Sequence, residues 1–425
     1  MCTACHQKDE SKPVDKLTAG KNTCIVSFKP SNCTSCHSSV AKEHETSVHN
    51  SARLPVTCSK CHSEIHKITS IKNNKIASSK LCSSCHENES VFFKSVHFKA
   101  LESGSKDAPG CTDCHNKHAI SRIDNVSQGR TFHTQTCMKC HADAEMMKRS
   151  NVTTIAPKSY FESYHGKNIR LGYPEKVAGC ADCHSYHSIL PANDSNSTVN
   201  AVNLTNTCKQ CHVNAGDGFS KFIAHADTGN SEKYPLLYWV TIFMNSLLAG
   251  TFLFFWVHSL LWVIRGYIEK KRNRNAEDFS GGNDTADRRI KHKVYRRFRP
   301  VHITLHLFVV TSFLALALTG LPLKFNYTGW GKTLMDYLGG ISSAGIIHRI
   351  AAIVTFGYFF VTLFMSIRFL FSKKHSKAPF LKRLFGPDSL FINRKDINDI
   401  KAMFRWFFFR GPKPSFERWT YWEKF

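Results

Sequence analysis

Eight copies of Cys-x-x-Cys-His, beginning at Cys2, Cys33, Cys58, Cys82, Cys111, Cys137, Cys180 and Cys208, set the terms on which the first half of this chain can fold. In such a motif two thiols add to the vinyl groups of a haem and the adjacent histidine becomes an axial iron ligand. The thiol pairs are Cys2 and Cys5, Cys33 and Cys36, Cys58 and Cys61, Cys82 and Cys85, Cys111 and Cys114, Cys137 and Cys140, Cys180 and Cys183, and Cys208 and Cys211. The proximal ligands they predict are His6, His37, His62, His86, His115, His141, His184 and His212. A zinc ribbon would pair knuckles, whereas here every second cysteine of a motif is followed by His. One copy would be weak evidence for haem; eight are not chance. Cys24 stands outside the motifs and reads as a small buried apolar residue.

Each iron needs a sixth ligand or keeps an open face, and that choice separates an electron wire from a catalyst. Nine further histidines precede residue 234: His44, His49, His66, His97, His118, His133, His165, His187 and His225. Nine candidates for eight irons predict bis-histidine sites throughout, which leave no position for a substrate. An internal repeat supports this. The chain reads SVHFKAL, GCTDCHNKHAI and TCMKCHAD from His97, then SYHGKNI, GCADCHSYHSI and TCKQCHVN from His165, with a looser copy from His49. Repeats are expected at about 44–88, 92–142 and 160–213. His49, His97 and His165 are equivalent leading histidines, and His66, His118 and His187 are equivalent inner ones. His225 would open a fourth unit. The eighth distal ligand falls to His44 or His133.

Between motifs the chain is rich in Ser, Asn, Lys and Gly, without long apolar periods, so no ordinary core is expected over residues 1–233. Porphyrins must supply that core, as metals do in other small units, and the apoprotein should not fold.

At residue 234 the composition changes. Residues 236–264 form an uncharged run longer than the roughly 20 residues that cross a bilayer, 300–323 form a second, and about 345–368 form a third apolar run whose charges, Arg349 and Arg368, lie near its ends. The expected organisation is a haem c domain over 1–233, a first transmembrane helix over 234–267, a basic cytoplasmic linker over 268–299 and a membrane domain over 300–425. Basic residues crowd 265–299 and the stretch after 368, whereas 324–344 holds only Lys324 and Lys332. The positive-inside rule puts the basic segments in the cytoplasm and the haem c domain in the periplasm of a bacterial inner membrane. The net charge of +25 divides into +7 up to residue 233 and +18 beyond it. Topology accounts for the larger share, and no nucleic-acid partner is implied.

Histidines inside membrane helices mark function by default. His306 lies near the cytoplasmic end of the second span and His348 near the outer end of the third, depths that suit up to two haem b groups. The run RPVHITLHLFVVTSFLALALTGLPLKF followed by GIIHRIAAIVTF resembles the first two helices of the cytochrome b subunit of formate dehydrogenase and its relatives. That resemblance implies one haem b at each of His306 and His348, with partner ligands on later helices. His258 and His302 are weaker candidates for haem b; Arg349 would pair with a propionate or snorkel to the interface.

Fusion of such a unit to a multihaem domain resembles the inner-membrane quinol-oxidising cytochromes of metal-reducing bacteria, the CbcL-like family. The resemblance implies a haem-packed, loop-rich, mainly α multihaem cytochrome c domain followed by an α-helical transmembrane cytochrome b-like bundle, of which this chain holds three transmembrane helices. It further implies quinol:cytochrome c oxidoreductase activity, with quinol or menaquinol as substrate, the lipid and quinone pool as surroundings and periplasmic cytochromes as acceptors. The reverse flow into quinone is equally compatible with the sequence. Two rival readings are a reductase of a small nitrogen or sulfur oxyanion, which needs an open haem, and a pure anchor without haem b. Cys2 is a haem-binding residue with no signal peptide before it, and FERWTYWEKF resembles the lead-in to a further helix, so the native protein is expected to extend beyond both ends. The segment MFRWFFFR is too short to span and is expected at the cytoplasmic interface.

Overall fold

The computed structural model describes residues 33–62, 74–279, 300–371, 379–386, 389, 391–416 and 420–424. Cys2, Cys5, His6, Cys24 and His66, with linker residues 280–299, lie outside the described residues. Every regular element among the described residues is a helix, and the chain divides into two compact units, 1–226 and 227–425. The expected class is what is found: a loop-rich, cysteine-rich helical region, then three helices long and apolar enough to cross a membrane.

In the first unit the helices are short because caps recur at short intervals. Those used below are α1 (Ser38–Glu45), α2 (Lys75–Ser83), α3 (Cys111–His115), α4 (Val126–His141) and α5 (Cys180–His184). The three leading histidines share one device: Ser47, Ser95 and Ser163 cap the helices Val48–Ser51, Val96–Glu102 and Tyr164–Arg170. Each serine hydroxyl accepts a backbone N–H of the first turn, worth about 1 kcal/mol, and fixes His49, His97 or His165 at the second helical position.

Motif helices α3 and α5 are matched in the same way. The Asp113 and Asp182 carboxylates accept the N–H of Gly110 and Gly179 at 2.8 and 2.7 Å. Both helices end where Asn116 and Ser185 take φ of 65° and 64°, a left-handed turn two residues before His118 and His187. Helix α2 then docks on α3 through Lys75, and α4 on α5 through Arg130. Lys75 Nζ meets Asp113 at 3.2 Å and donates to the Ala108 carbonyl at 2.8 Å. Arg130 grips Asp182 with two N–H groups at 2.9 and 3.1 Å and donates to the carbonyls of Pro174 and Glu175.

The apolar interior of this unit is small. Phe98, Leu101 and Ala108 form one cluster, wrapped by Ile76, Phe92 and Phe93. At about 2 kcal/mol per buried side chain, this cluster cannot offset about 1–2 kcal/mol of backbone entropy for every ordered residue.

The second unit holds α6 (Pro235–Phe279), α7 (Pro300–Lys324), α8 (Gly329–Tyr337), α9 (Gly340–Phe371) and α10 (Arg394–Phe407). Helix α6 continues past residue 267, where a linker was expected, because EKKRNRNAED contains many good helix formers. Helices α7 and α9 are antiparallel neighbours: Thr319 bonds His348, and about two turns away Thr355 bonds Ser312 at 3.2 Å. The stretch between them, read from the sequence as a plain loop, contains α8, capped by Thr328 and closed by Gly339 and Gly340 at φ of 80° and 81°. The MFRWFFFR segment begins within α10. There Met403, Trp406 and Phe407 bury themselves with Tyr421, against Leu261 of α6, and Arg265 Nε donates to the Trp406 carbonyl at 3.0 Å.

Candidate functional site

The helices and turns of the first unit bring histidines together two by two. In five places a motif histidine faces one from outside the motifs: His86 and His49, His115 and His187, His141 and His97, His184 and His225, His212 and His165. Their ring centres are 5.9 to 6.2 Å apart. Two imidazoles on opposite faces of one iron, each with a metal–nitrogen bond of about 2 Å, stand about 6 Å apart from ring centre to ring centre.

Pairing follows a rule. A leading histidine faces the second motif of its own repeat, as His97 faces His141; an inner histidine faces the first motif of the preceding repeat, as His187 faces His115. Backbone bonds stitch the repeats in the same sense, with Val48 N donating to Ile120 O and Val96 N to Ile189 O, both at 2.9 Å. His225 behaves as an inner histidine, because it faces the first-motif His184 and meets Ser159 through Nδ1, and so does not open a fourth unit.

Seven of these ten rings are pushed toward the neutral imidazole, the form that binds iron. Burial first, then the facing His141, pushes His97 down to about 4. Burial likewise lowers His49, His115, His141, His165, His184 and His225. The Nδ1 atoms are engaged: His118 with Glu43 at 3.6 Å, His187 with Glu89, His225 with Ser159 at 2.9 Å. Ser159 already donates to the Ile155 carbonyl, so its oxygen accepts from His225 and leaves Nε2 with a lone pair.

The thiols run in chain order. Cys61 senses Cys85, Cys82 shares a hydrogen bond with Cys111, Cys114 senses Cys140, Cys137 shares one with Cys180, and Cys183 senses Cys208. Burial, then Asp113, pushes Cys114 up to about 11, and burial, then Asp182, does the same to Cys183. None of the fourteen cysteines among the described residues, from Cys33 and Cys36 through Cys58, Cys137 and Cys208 to Cys211, is paired in a disulfide. No three His, Cys, Asp or Glu side chains converge on a bare-ion site among the described residues. A donor set of two facing imidazoles with a nearby thiol pair fits a group that brings its own four equatorial nitrogens, which is haem.

Some expected residues are placed otherwise. His37 and His62 face no histidine among the described residues. His44 Nε2 donates to the Val56 carbonyl at 2.9 Å, and His133 lies against the rings of Tyr186 and Phe132. In the second unit His348 Nδ1 meets Thr319 at 2.7 Å; that hydroxyl also donates to the Ala315 carbonyl, so it accepts from the ring and leaves Nε2 free. His306 is exposed, thirteen residues before Thr319, which is about 20 Å of helix rise. His302 Nδ1 is buried without a partner. His258 is buried against Phe254, Phe407, Tyr421 and Trp422 and hydrogen-bonds the Tyr421 hydroxyl. The Glu43, Glu89 and Ser159 contacts were missed by sequence reasoning, although all three stand six or eight residues before a leading histidine.

Comparison with known proteins gives a distant match. Over 148 residues, 34% of this chain, it is 24% identical to the multihaem cytochrome MtrA of Shewanella baltica (strain OS185), and it spans 42% of that protein's length. No family model matches the chain, and no solved structure does. Over part of its length the chain is thus distantly similar to a multihaem cytochrome c, and it adds three candidate membrane spans.

Proposed function

We propose that this chain is a membrane-anchored respiratory electron carrier of the bacterial inner membrane. Quinol or menaquinol is oxidised at the membrane unit, and the electrons leave from a periplasmic haem c unit to a soluble cytochrome. The observation that carries the reading is the set of five imidazole pairs at iron-spanning separation, each joining one motif histidine to one outside the motifs. Bound haem supplies a one-electron ferric/ferrous couple at each site.

The chain's own part is to hold axial ligands neutral, fix the thiols in a row and bury the rings. Extending the pairing rule gives His118 to His62 and His66 to His6, which leaves His37 to His44 or His133. Eight haem c groups would then be held. In the membrane unit His306 and His348 are the residues for up to two haem b groups. Thr319 orients His348, and the rise along α7 supports placement at two depths. His258, engaged by Tyr421, and His302 stand behind them. The basic segments support a periplasmic haem c unit.

The test is reduction by a menaquinol analogue of protein in membrane vesicles, followed at the b and c absorption bands, with haem counted by pyridine haemochrome. Reduction of b-type and then c-type bands, at a ratio of two to eight, is expected. Absence of quinol-driven reduction would overturn quinol oxidation, and c-type haem without b-type would reduce the reading to an anchored c-type carrier.

A further inference from the structure

Three side chains, each six or eight residues before a leading histidine, meet Nδ1 of three histidines outside the motifs, and they are not the same chemically. Glu43 approaches His118 Nδ1, Glu89 approaches His187 Nδ1 and Ser159 bonds His225 Nδ1. Each lies just before one leading histidine and reaches an inner-class histidine further along the chain, so the contact recurs with the repeat. In the first two the facing group is a carboxylate, at 3.6 Å for Glu43; in the third it is a hydroxyl that accepts, itself polarised toward the Ile155 and Ala156 carbonyls.

We infer that these Nδ1 contacts set the reduction potentials along the row, with Glu43 and Glu89 holding their sites lower than Ser159 holds the site of His184 and His225. The inference rests on the functional reading above, in which these rings bind haem iron. A carboxylate that accepts from Nδ1–H makes the imidazole a stronger donor through Nε2, and a full negative charge beside the ligand favours the more positive iron. Charge-assisted hydrogen bonds are also about twice as strong as neutral ones. Both effects stabilise ferric over ferrous iron, and reduction by one electron from the donor is correspondingly harder. Glu43 and Glu89 are about half exposed, with side-chain accessibilities of 58% and 48%, so water moderates the effect. These are positioning residues: they act on the iron through a histidine and touch no substrate.

The experiment is a redox titration of the full-length holoprotein in detergent, read at the c-type α band and by the low-spin ferric EPR signals, with haem content measured on the same samples. Glu89→Gln should raise one midpoint and leave the others in place. Its ferrous/ferric ratio at fixed potential should rise by up to about tenfold, equivalent to about 59 mV for one electron. Glu89→Asp should restore most of the original value. Ser159→Glu should move a different midpoint the opposite way. A merely structural role would instead lower haem content or produce a high-spin signal without opposed shifts. Full haem content with no shift, or with shifts of the same sign in Glu89→Gln and Ser159→Glu, would overturn the inference alone. Should Glu89→Gln lose its haem, Glu89→Asp and Ser159→Glu decide the matter by the same criterion. Wild-type protein without covalent haem would overturn the functional reading, and the inference with it.

Discussion

Among the described residues, neither unit of this chain builds a large hydrophobic core, and the reasons are opposite. In residues 1–226 apolar side chains are scarce, and the rings that lie inside are largely histidines facing one another in pairs. In residues 227–425 apolar side chains abound but point outward: 6% of each candidate span is buried, and Ile353, Phe356 and Leu307 are more than 60% exposed. One unit therefore waits for something to be placed within it, the other for something to surround it. Porphyrin answers the first need and lipid the second. Composition alone would have called the first half too polar to fold and the second too apolar to dissolve; both descriptions are true until the missing solvent or cofactor is supplied.

That contrast can be broken most directly by removing haem supply during expression. The first unit should then lose its helical signal and protease resistance altogether, while α6, α7 and α9 remain helical in detergent. Survival of a protease-resistant first unit without haem would end the comparison. A smaller effect is expected from Lys424→Met in the second unit. Lys424 and Asp396 pair at 2.9 Å, both 3% exposed, and Asp396 also accepts the Asn393 N–H that starts α10. Leaving that carboxylate unpaired should cost about 3 kcal/mol in denaturant unfolding of this unit and leave c-type haem content unchanged.

Next in size is Arg130→Ala, which removes the two-pronged grip on Asp182 and two carbonyl contacts at a partly buried site; about 2 kcal/mol should be lost from the first unit, with α4 and α5 gaining hydrogen exchange together. Thr319→Val removes the hydrogen bond to His348 and should cost about 1 kcal/mol, with any b-type absorption diminished and c-type absorption intact. Lys75→Ala, the repeat equivalent of Arg130→Ala, should cost less than about 1 kcal/mol, because the Lys75 and Asp113 pair is more open to water. Equal losses for Arg130→Ala and Lys75→Ala would show that the two docking contacts are not graded by burial.

Much of this was legible beforehand. The motif set, the repeat register and the three apolar runs are local features, and local features survive in sequence. What the register could not disclose was partnership. That His49, His97 and His165 are equivalent says nothing of which motif each faces, because the answer depends on chain reversals such as those at Asn116 and Ser185. His225 was misfiled for that reason: its spacing suggested a leading histidine, and its neighbours Ser159 and His184 belong to the other class. His258 shows the same limit in the membrane unit. Its place in a long apolar run marked it as unusual, but the aromatic nest that receives it comes from Phe407, Tyr421 and Trp422, far along the chain.

The crossing of histidines between repeats has a consequence for how such a chain comes into being. His187 faces the histidine of the motif at Cys111, and His225 that of the motif at Cys180, so on the proposed reading these two sites are completed only by chain translated later. A polypeptide emerging from a translocation pore would carry half-built sockets at its trailing edge, each finished as its successor arrives. Lengthening or shortening such an array by whole repeats keeps every internal socket complete, whereas a cut inside a repeat strands ligands on both sides of the break.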